Sequence, residues 1–178
     1  MHNSSQISSS DKIDRDVTVV IPTIGRPILE KCLTAITDGD TLPGRIIVVD
    51  QSSSSTIRDL LRSAAESGIE TTHTCSDESG RSKGLNRGLE QVTSKFVAVT
   101  DDDCLVDAEW IMRLGKYLRD DSRRVYTGQI TTSGDEPVLG TVLRDESSVS
   151  IRPALVFDRY SGGNFATAID VIRQVGLF

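Results

Sequence analysis

Three consecutive carboxylates, Asp101, Asp102 and Asp103, follow the apolar run FVAV and open the segment TDDDCLVDAEW, Thr100 to Trp110. Neighbouring carboxylates repel one another. A divalent cation relieves that repulsion most directly, and magnesium and manganese favour carboxylate oxygen. Alternate side chains of an extended segment point the same way, so Asp101 and Asp103 form a D-x-D pair. The alternative is a solvated acidic turn that caps the helix starting near Asp107. Their place at the mouth of a buried strand favours the metal. Magnesium takes one or two carboxylates and fills its shell with water and substrate phosphate.

Other residues with chemistry fall at comparable places. Asp50 closes the run RIIVVD, where an acid at a strand end accepts hydrogen bonds from a base or ribose; a plain turn is the competing role. GRSKGLNRG, Gly80 to Gly88, carries Arg81, Lys83 and Arg87. Arg81 or Lys83 can reach a nucleotide, unless the segment is only a basic, solvated helix start. His73 has no evident acid or nucleophile partner and reads as structural. The cysteines read as core residues, Cys32 being on the apolar face of its helix.

Several chemistries are disfavoured. The pattern G-x-x-x-x-G-K-[ST] is absent, and no G-x-G-x-x-G follows the first strand. The three cysteines, Cys32, Cys75 and Cys104, form no C-x-x-C pair, so neither a disulfide framework nor a zinc site is indicated. Net charge is -6, which gives a nucleic-acid-binding role no electrostatic footprint. Reduced thiols and the lack of a signal-peptide core or membrane-length apolar run point to the cytoplasm.

The elements that position these residues alternate. The β-branched run VTVVIP, Val17 to Pro22, suits a strand buried on both faces. Ile28, Leu29, Cys32, Leu33 and Ile36 recur at helical spacing, and Gly39, Pro43 and Gly44 end that helix. Arg45 to Asp50 is a second strand. Thr56 can cap the next helix, Ile69 to Thr74 is a weaker edge strand, and a short helix presents Leu85, Leu89 and Val92 inward. Lys95 to Thr100 is the third strong strand, and Asp107 can cap a helix carrying Trp110, Ile111, Leu114 and Leu118. Val125 to Thr132 is a further strand. The pattern degrades from Ser133 to Tyr160, then SGGNF precedes a helix over Ala168 to Val175. The alternation predicts an open α/β sheet, mostly parallel, with helices on both faces. Ligands bind such sheets beyond the carboxyl ends of the strands, where Pro22, Thr23, Asp50 and the aspartates converge. At 178 residues, 37 % hydrophobic and 26 % charged, the chain suits one domain, residues 17–178, after a disordered lead, residues 1–16.

VVIPT (Val19 to Thr23), VVD (Val48 to Asp50), GRSKGLNRG (Gly80 to Gly88), DDDC (Asp101 to Cys104) and GGNF (Gly162 to Phe165) run in the order seen in family 2 glycosyltransferases. The sequence resembles that family from about Val17 to Phe178. The resemblance implies the GT-A fold, the Rossmann-like nucleotide-diphospho-sugar transferase architecture. Pro22 and Thr23 would line the nucleotide pocket, and Asp50 would contact the base, often uracil. Asp101 would lie near the ribose, and Asp102 and Asp103 toward the metal and diphosphate, with Asp103 the direct ligand. Gly162, Gly163 and Asn164 would border the sugar and acceptor side. Leu85 stands where the family often has an arginine, so Arg81 or Lys83 would substitute.

The implied reaction transfers a sugar from a nucleotide-diphosphate sugar, UDP-sugar first among them, to a hydroxyl of a glycan, lipid or small molecule, with inversion. Mg2+ or Mn2+ would neutralise the departing diphosphate. The sugar carbon would gain oxocarbenium character, and a carboxylate would take the acceptor's proton. The family's base lies in a downstream acidic motif. Asp170 and Asp158 do not occupy its place, so the sequence reads as truncated, with the base beyond Phe178. An exposed apolar patch is expected there. Peripheral attachment at the inner face of a membrane stays open. A catalytically inactive nucleotide-diphosphate-binding module is the competing reading. A sugar nucleotidyltransferase ranks lower, because the first loop, PTIGRP, has one arginine and no lysine.

Overall fold

A computed structural model describes residues 12–52, 54–131 and 162–178. Six strands form one sheet: Ile13–Thr23 (β1), Leu42–Asp50 (β2), Glu70–Cys75 (β3), Phe96–Thr100 (β4), Val125–Thr127 (β5) and Asn164–Ala168 (β6). Five helices join them: Leu29–Thr37 (α1), Ile57–Glu66 (α2), Arg81–Leu89 (α3), Trp110–Asp120 (α4) and Ile169–Val175 (α5). The sheet order is β3-β2-β1-β4-β6-β5. β3, β2, β1 and β4 are mutually parallel, whereas β6 runs antiparallel to both β4 and β5.

The continuous β-branched runs are buried on both faces because helices cover both. Val17, Val19 and Ile21 of β1 join Ile46 and Val48 of β2 in a cluster with apolar residues of α1, α2 and α4. Val20, Ile47, Val49, Val97 and Val99 point the other way, against Leu85 and Leu89 of α3 and Ile169 and Ile172 of α5. The period of two along each strand thus divides one apolar run between two half-cores. Gly88 lets α3 approach: a Cβ there would stand 2.4 Å from Val20 Cγ1.

Several boundaries depart from the sequence reading. β1 begins at Ile13, so the last residues of the supposed disordered lead are strand; residues 1–11 lie outside the described residues. β2 begins at Leu42 and includes Pro43 and Gly44, read as helix breakers only. Its register against β1 shifts between Asp14 and Thr18, and there the ladder tolerates proline. Of the strand expected over Val125 to Thr132, Val125–Thr127 forms, residues 128–131 do not continue it, and Thr132 lies outside the described residues. A strand at Asn164–Ala168 was not foreseen, because five residues leave little room for periodicity. Thr56 makes no side-chain cap; its hydroxyl pairs with Ser54 Oγ instead. The N-cap of α4 is Glu109 and it has no side-chain cap bond; Asp107 instead closes the turn before the helix, its Oδ1 accepting from Glu109 N–H at 2.9 Å. The whole pattern-poor stretch from Ser133 to Tyr160, Asp158 included, lies outside the described residues.

Candidate nucleotide-sugar site

The parallel strands deliver their carboxyl ends to one edge. Thr23 of β1 lies opposite Asp50 of β2, and Asp50 opposite Cys75 of β3. β4 ends at Thr100 and the acids follow. They sit on a tight turn, not on extended chain: Cys104 N–H donates to Asp101 O at 3.2 Å. The turn still places Asp101 and Asp103 together, their carboxylate oxygens and Cys104 Sγ lying within 4.8 Å of one another. Both acids are reachable from solvent, at 27 % and 46 % side-chain exposure. Two hard oxygen donors, partly hydrated, are the donor set that Mg2+ or Mn2+ takes.

Asp102 does something else. It is 1 % exposed. Thr23 Oγ1 donates to its Oδ2 at 2.5 Å, and Arg26 Nη2 donates to its Oδ1. Thr23 Oγ1 also accepts from Gly25 N–H at 2.9 Å, at a residue with φ 79° that suits glycine. Asp102 therefore pins the loop after β1 to the turn after β4. Its expected place toward the metal and diphosphate does not match this burial.

Two arginines face the acids. Arg26 Nη1 donates to Asp103 Oδ2 at 2.8 Å as well as holding Asp102. The hydrogen bond with Asp102 raises its pKa most, and both aspartates add attraction that outweighs partial burial. Arg26 went unassigned in the sequence because only tertiary folding brings it to Asp103. Arg81, first residue of α3, donates from Nε to Asp101 Oδ1 at 2.7 Å and from Nη2 to Gly162 O. Lys83 does not join it: its Nζ lies 3.6 Å from Glu78 Oε1, in solvent. Leu85 is buried under the sheet.

Gly162 and Gly163 press against this corner. A Cβ on Gly162 would stand 2.9 Å from Arg81 Nη1, and one on Gly163 2.6 Å from Asp101 Oδ2. Asn164 is partly committed to structure, its Oδ1 accepting from Trp110 Nε1 at 3.0 Å. Pro22 is buried at the end of β1, and a Cβ on Gly84 would stand 3.2 Å from its Cβ. At the other end of the edge, Asp50 is 1 % exposed. Burial pushes its carboxyl up, but bonds from Ser52 Oγ, Ser52 N–H and His73 together hold it below the usual value. His73 Nε2 lies 3.1 Å from Asp50 Oδ2, so the histidine read as partnerless has a buried acid beside it. Twenty-three residues separate the pair, and only the β2–β3 register joins them.

Near the end of the chain, Val175, Leu177 and Phe178 are 75 %, 49 % and 60 % exposed. Among the described residues, no helix is long and apolar enough to cross a membrane.

Solved glycosyltransferase structures share the architecture. Staphylococcus aureus TarS residues 1–349 in complex with UDP superpose with a TM-score of 0.73 at 14 % identity, over 89 % of this chain and 48 % of that one. The same protein with UDP-GlcNAc gives 0.70 at 15 %, over 89 % and 47 %. The mannosyltransferase PcManGT from Pyrobaculum calidifontis, in complex with GDP-Man and Mn2+, gives 0.66 at 22 %, over 93 % and 48 %. The chain spans about half the length of these proteins. No curated protein sequence matches it significantly. The fold is thus the GT-A, Rossmann-like one. With the family model for glycosyl transferase family 2 matching residues 18–172, the chain belongs to that family.

Proposed function

We propose that this domain binds a nucleotide-diphosphate sugar, a UDP-sugar first, along the edge formed by β1, β2 and β4, and contributes the donor half of an inverting, metal-assisted transfer to an acceptor hydroxyl. The observation that carries the reading is the convergence of Asp101 and Asp103 on one partly hydrated corner, in line with Thr23 and Asp50. When bound there, Mg2+ or Mn2+ supplies neutralisation of the diphosphate charge. Asp103, the more exposed acid, and Asp101 would hold the ion.

The chain's own residues account for the remaining parts. Asp50, fixed by Ser52 and His73, offers an ionised carboxylate to an N–H of the base. Arg26 and Arg81 stand beside the acids, each able to exchange a carboxylate for a diphosphate oxygen. The N-terminus of α3 opens on the same corner and adds a partial positive charge. The close approach of Gly162 and Gly163 brings the start of β6 against Arg81 and Asp101, on the sugar and acceptor side of the corner. Asp170 is no candidate base: it pairs with Arg173 on the exposed side of α5. The acceptor, a glycan, lipid or small molecule, and the base that receives its proton are therefore assigned to no described residue.

Titration calorimetry of UDP with and without Mn2+, on wild type and Asp103→Ala, tests the reading. Metal-dependent binding that the substitution abolishes supports it. Metal-independent binding, or equal binding by both proteins, overturns the metal assignment. GDP and ADP in parallel fix the base: tighter binding of either would replace uridine.

A further inference from the structure

A second group of ligating side chains lies at the β2–β3 end of the edge, away from the aspartate turn. Asp50 Oδ2, His73 Nε2 and Cys75 Sγ are all within 4.8 Å of one another. The His73–Asp50 separation is 3.1 Å, and Cys75 Sγ is 4.0 Å from His73 Nε2. We propose that Asp50, His73 and Cys75 form a binding site for one divalent transition-metal ion of the zinc class.

The register of the sheet builds this site. Asp50 pairs with Cys75 and Val48 with His73 across β2 and β3. His73 and Cys75 are two residues apart on one strand, so both project to the same face, where Asp50 stands. Zinc bonds of about 2.0–2.3 Å at tetrahedral angles separate ligand atoms by roughly 3.3–3.8 Å. The observed 3.1 Å and 4.0 Å bracket that spacing, so small side-chain rotations close the shell. One carboxylate, one imidazole and one thiolate form a borderline-soft set, which selects zinc over magnesium. The aspartate turn, with two carboxylates, is harder.

The surroundings suit a metal. Ser52 binds Asp50 Oδ1 through both N–H and Oγ, at 2.8 Å and 2.6 Å, leaving Oδ2 toward His73. Ligating carboxylates are held in this way by outer partners. Asp50 and His73 are largely buried whereas Cys75 is exposed, which gives an entry path and an open fourth position. An ion here occupies the Asp50 oxygen that a base would use, so zinc opposes nucleotide binding; only that consequence rests on the proposed function.

Co2+ titration of the reduced, nucleotide-free chain tests the site, followed through the thiolate-to-cobalt charge-transfer band. Zn2+ competition against a chromophoric chelator then gives affinity. The expected result is about one tight equivalent, with the band retained in Cys104→Ser and lost in Cys75→Ser and His73→Asn. Zn2+ affinity should fall in those two by more than the roughly 10–100-fold typical of losing an outer partner, the range expected for Ser52→Ala. Cys75 is exposed, and thermal melts confirm that its variant is folded. No band in wild type, a band that persists in Cys75→Ser, or one lost in Cys104→Ser overturns the proposal. These titrations contain no nucleotide, so a failure of UDP to bind leaves them readable.

Discussion

Thr23 Oγ1 donates to Asp102 Oδ2 at 2.5 Å, across 79 residues of sequence, and this bond separates one acid of the triplet from the other two. Asp102 is a buried anchor, and Asp101 and Asp103 face solvent. Thr23→Val removes a donor from a buried carboxylate and should lower unfolding free energy by about 1.5–3 kcal/mol. Asp103→Ala, at an exposed position, should stay within about 0.5 kcal/mol of wild type. Urea denaturation of the two variants checks the contrast.

Arg26 competes with a cation for Asp103. Arg26→Ala should tighten binding of Mn2+ alone by up to about fivefold, the equivalent of an exposed ion pair of up to about 1 kcal/mol. The same variant should weaken UDP binding in the presence of the metal. Calorimetry with Mn2+ alone and then with Mn2+ and UDP reads both directions.

Asp50 has a depressed pKa in the folded chain, where the bonds from Ser52 and His73 outweigh burial. Its contribution to stability is complete above the ordinary carboxyl value of 3.8 and is lost as pH falls through the lower folded value. Asp50→Asn should therefore be less stable than wild type at neutral pH. Its acid limb below about pH 4 should be shallower. Denaturant midpoints measured down to about pH 2 give the comparison.

The three thiols should react in a fixed order. Cys75 is exposed, Cys104 half-buried and Cys32 buried. Burial first, then the charges of Cys104 and the aspartates, pushes the Cys32 thiol up to about 12. Burial and the neighbouring acids also raise Cys104. Because the thiolate is the nucleophile, a disulfide reagent at neutral pH should label Cys75 quickly and Cys104 slowly. Cys32 should appear only on unfolding, and mass spectrometry of quenched samples gives the order.

The strands VTVVIP, RIIVVD and KFVAVT were legible because both-face burial demands uninterrupted apolar β-branched residues. Asp50 and the aspartate triplet were legible as strand-end acids for the same reason, since the end of such a run marks an edge. The antiparallel β6 was not legible, because NFATA is short and its pairing with Phe96–Thr100 is a contact between distant segments. The basic motif divided: Arg81 reaches Asp101, but Lys83, two residues on along the helix, points to Glu78.

Sequence by itself determined the alternation of elements, the family and the place where acids gather, because those depend on local periodicity and strand order. Tertiary structure alone decided the roles within that place. It buried Asp102, brought Arg26 to Asp103, and set His73 and Cys75 beside Asp50. Each of those pairings joins residues 23 or more positions apart, or sits on a register between two strands. No local pattern encodes such a register; it is fixed only when the two half-cores pack and each strand can slide no further.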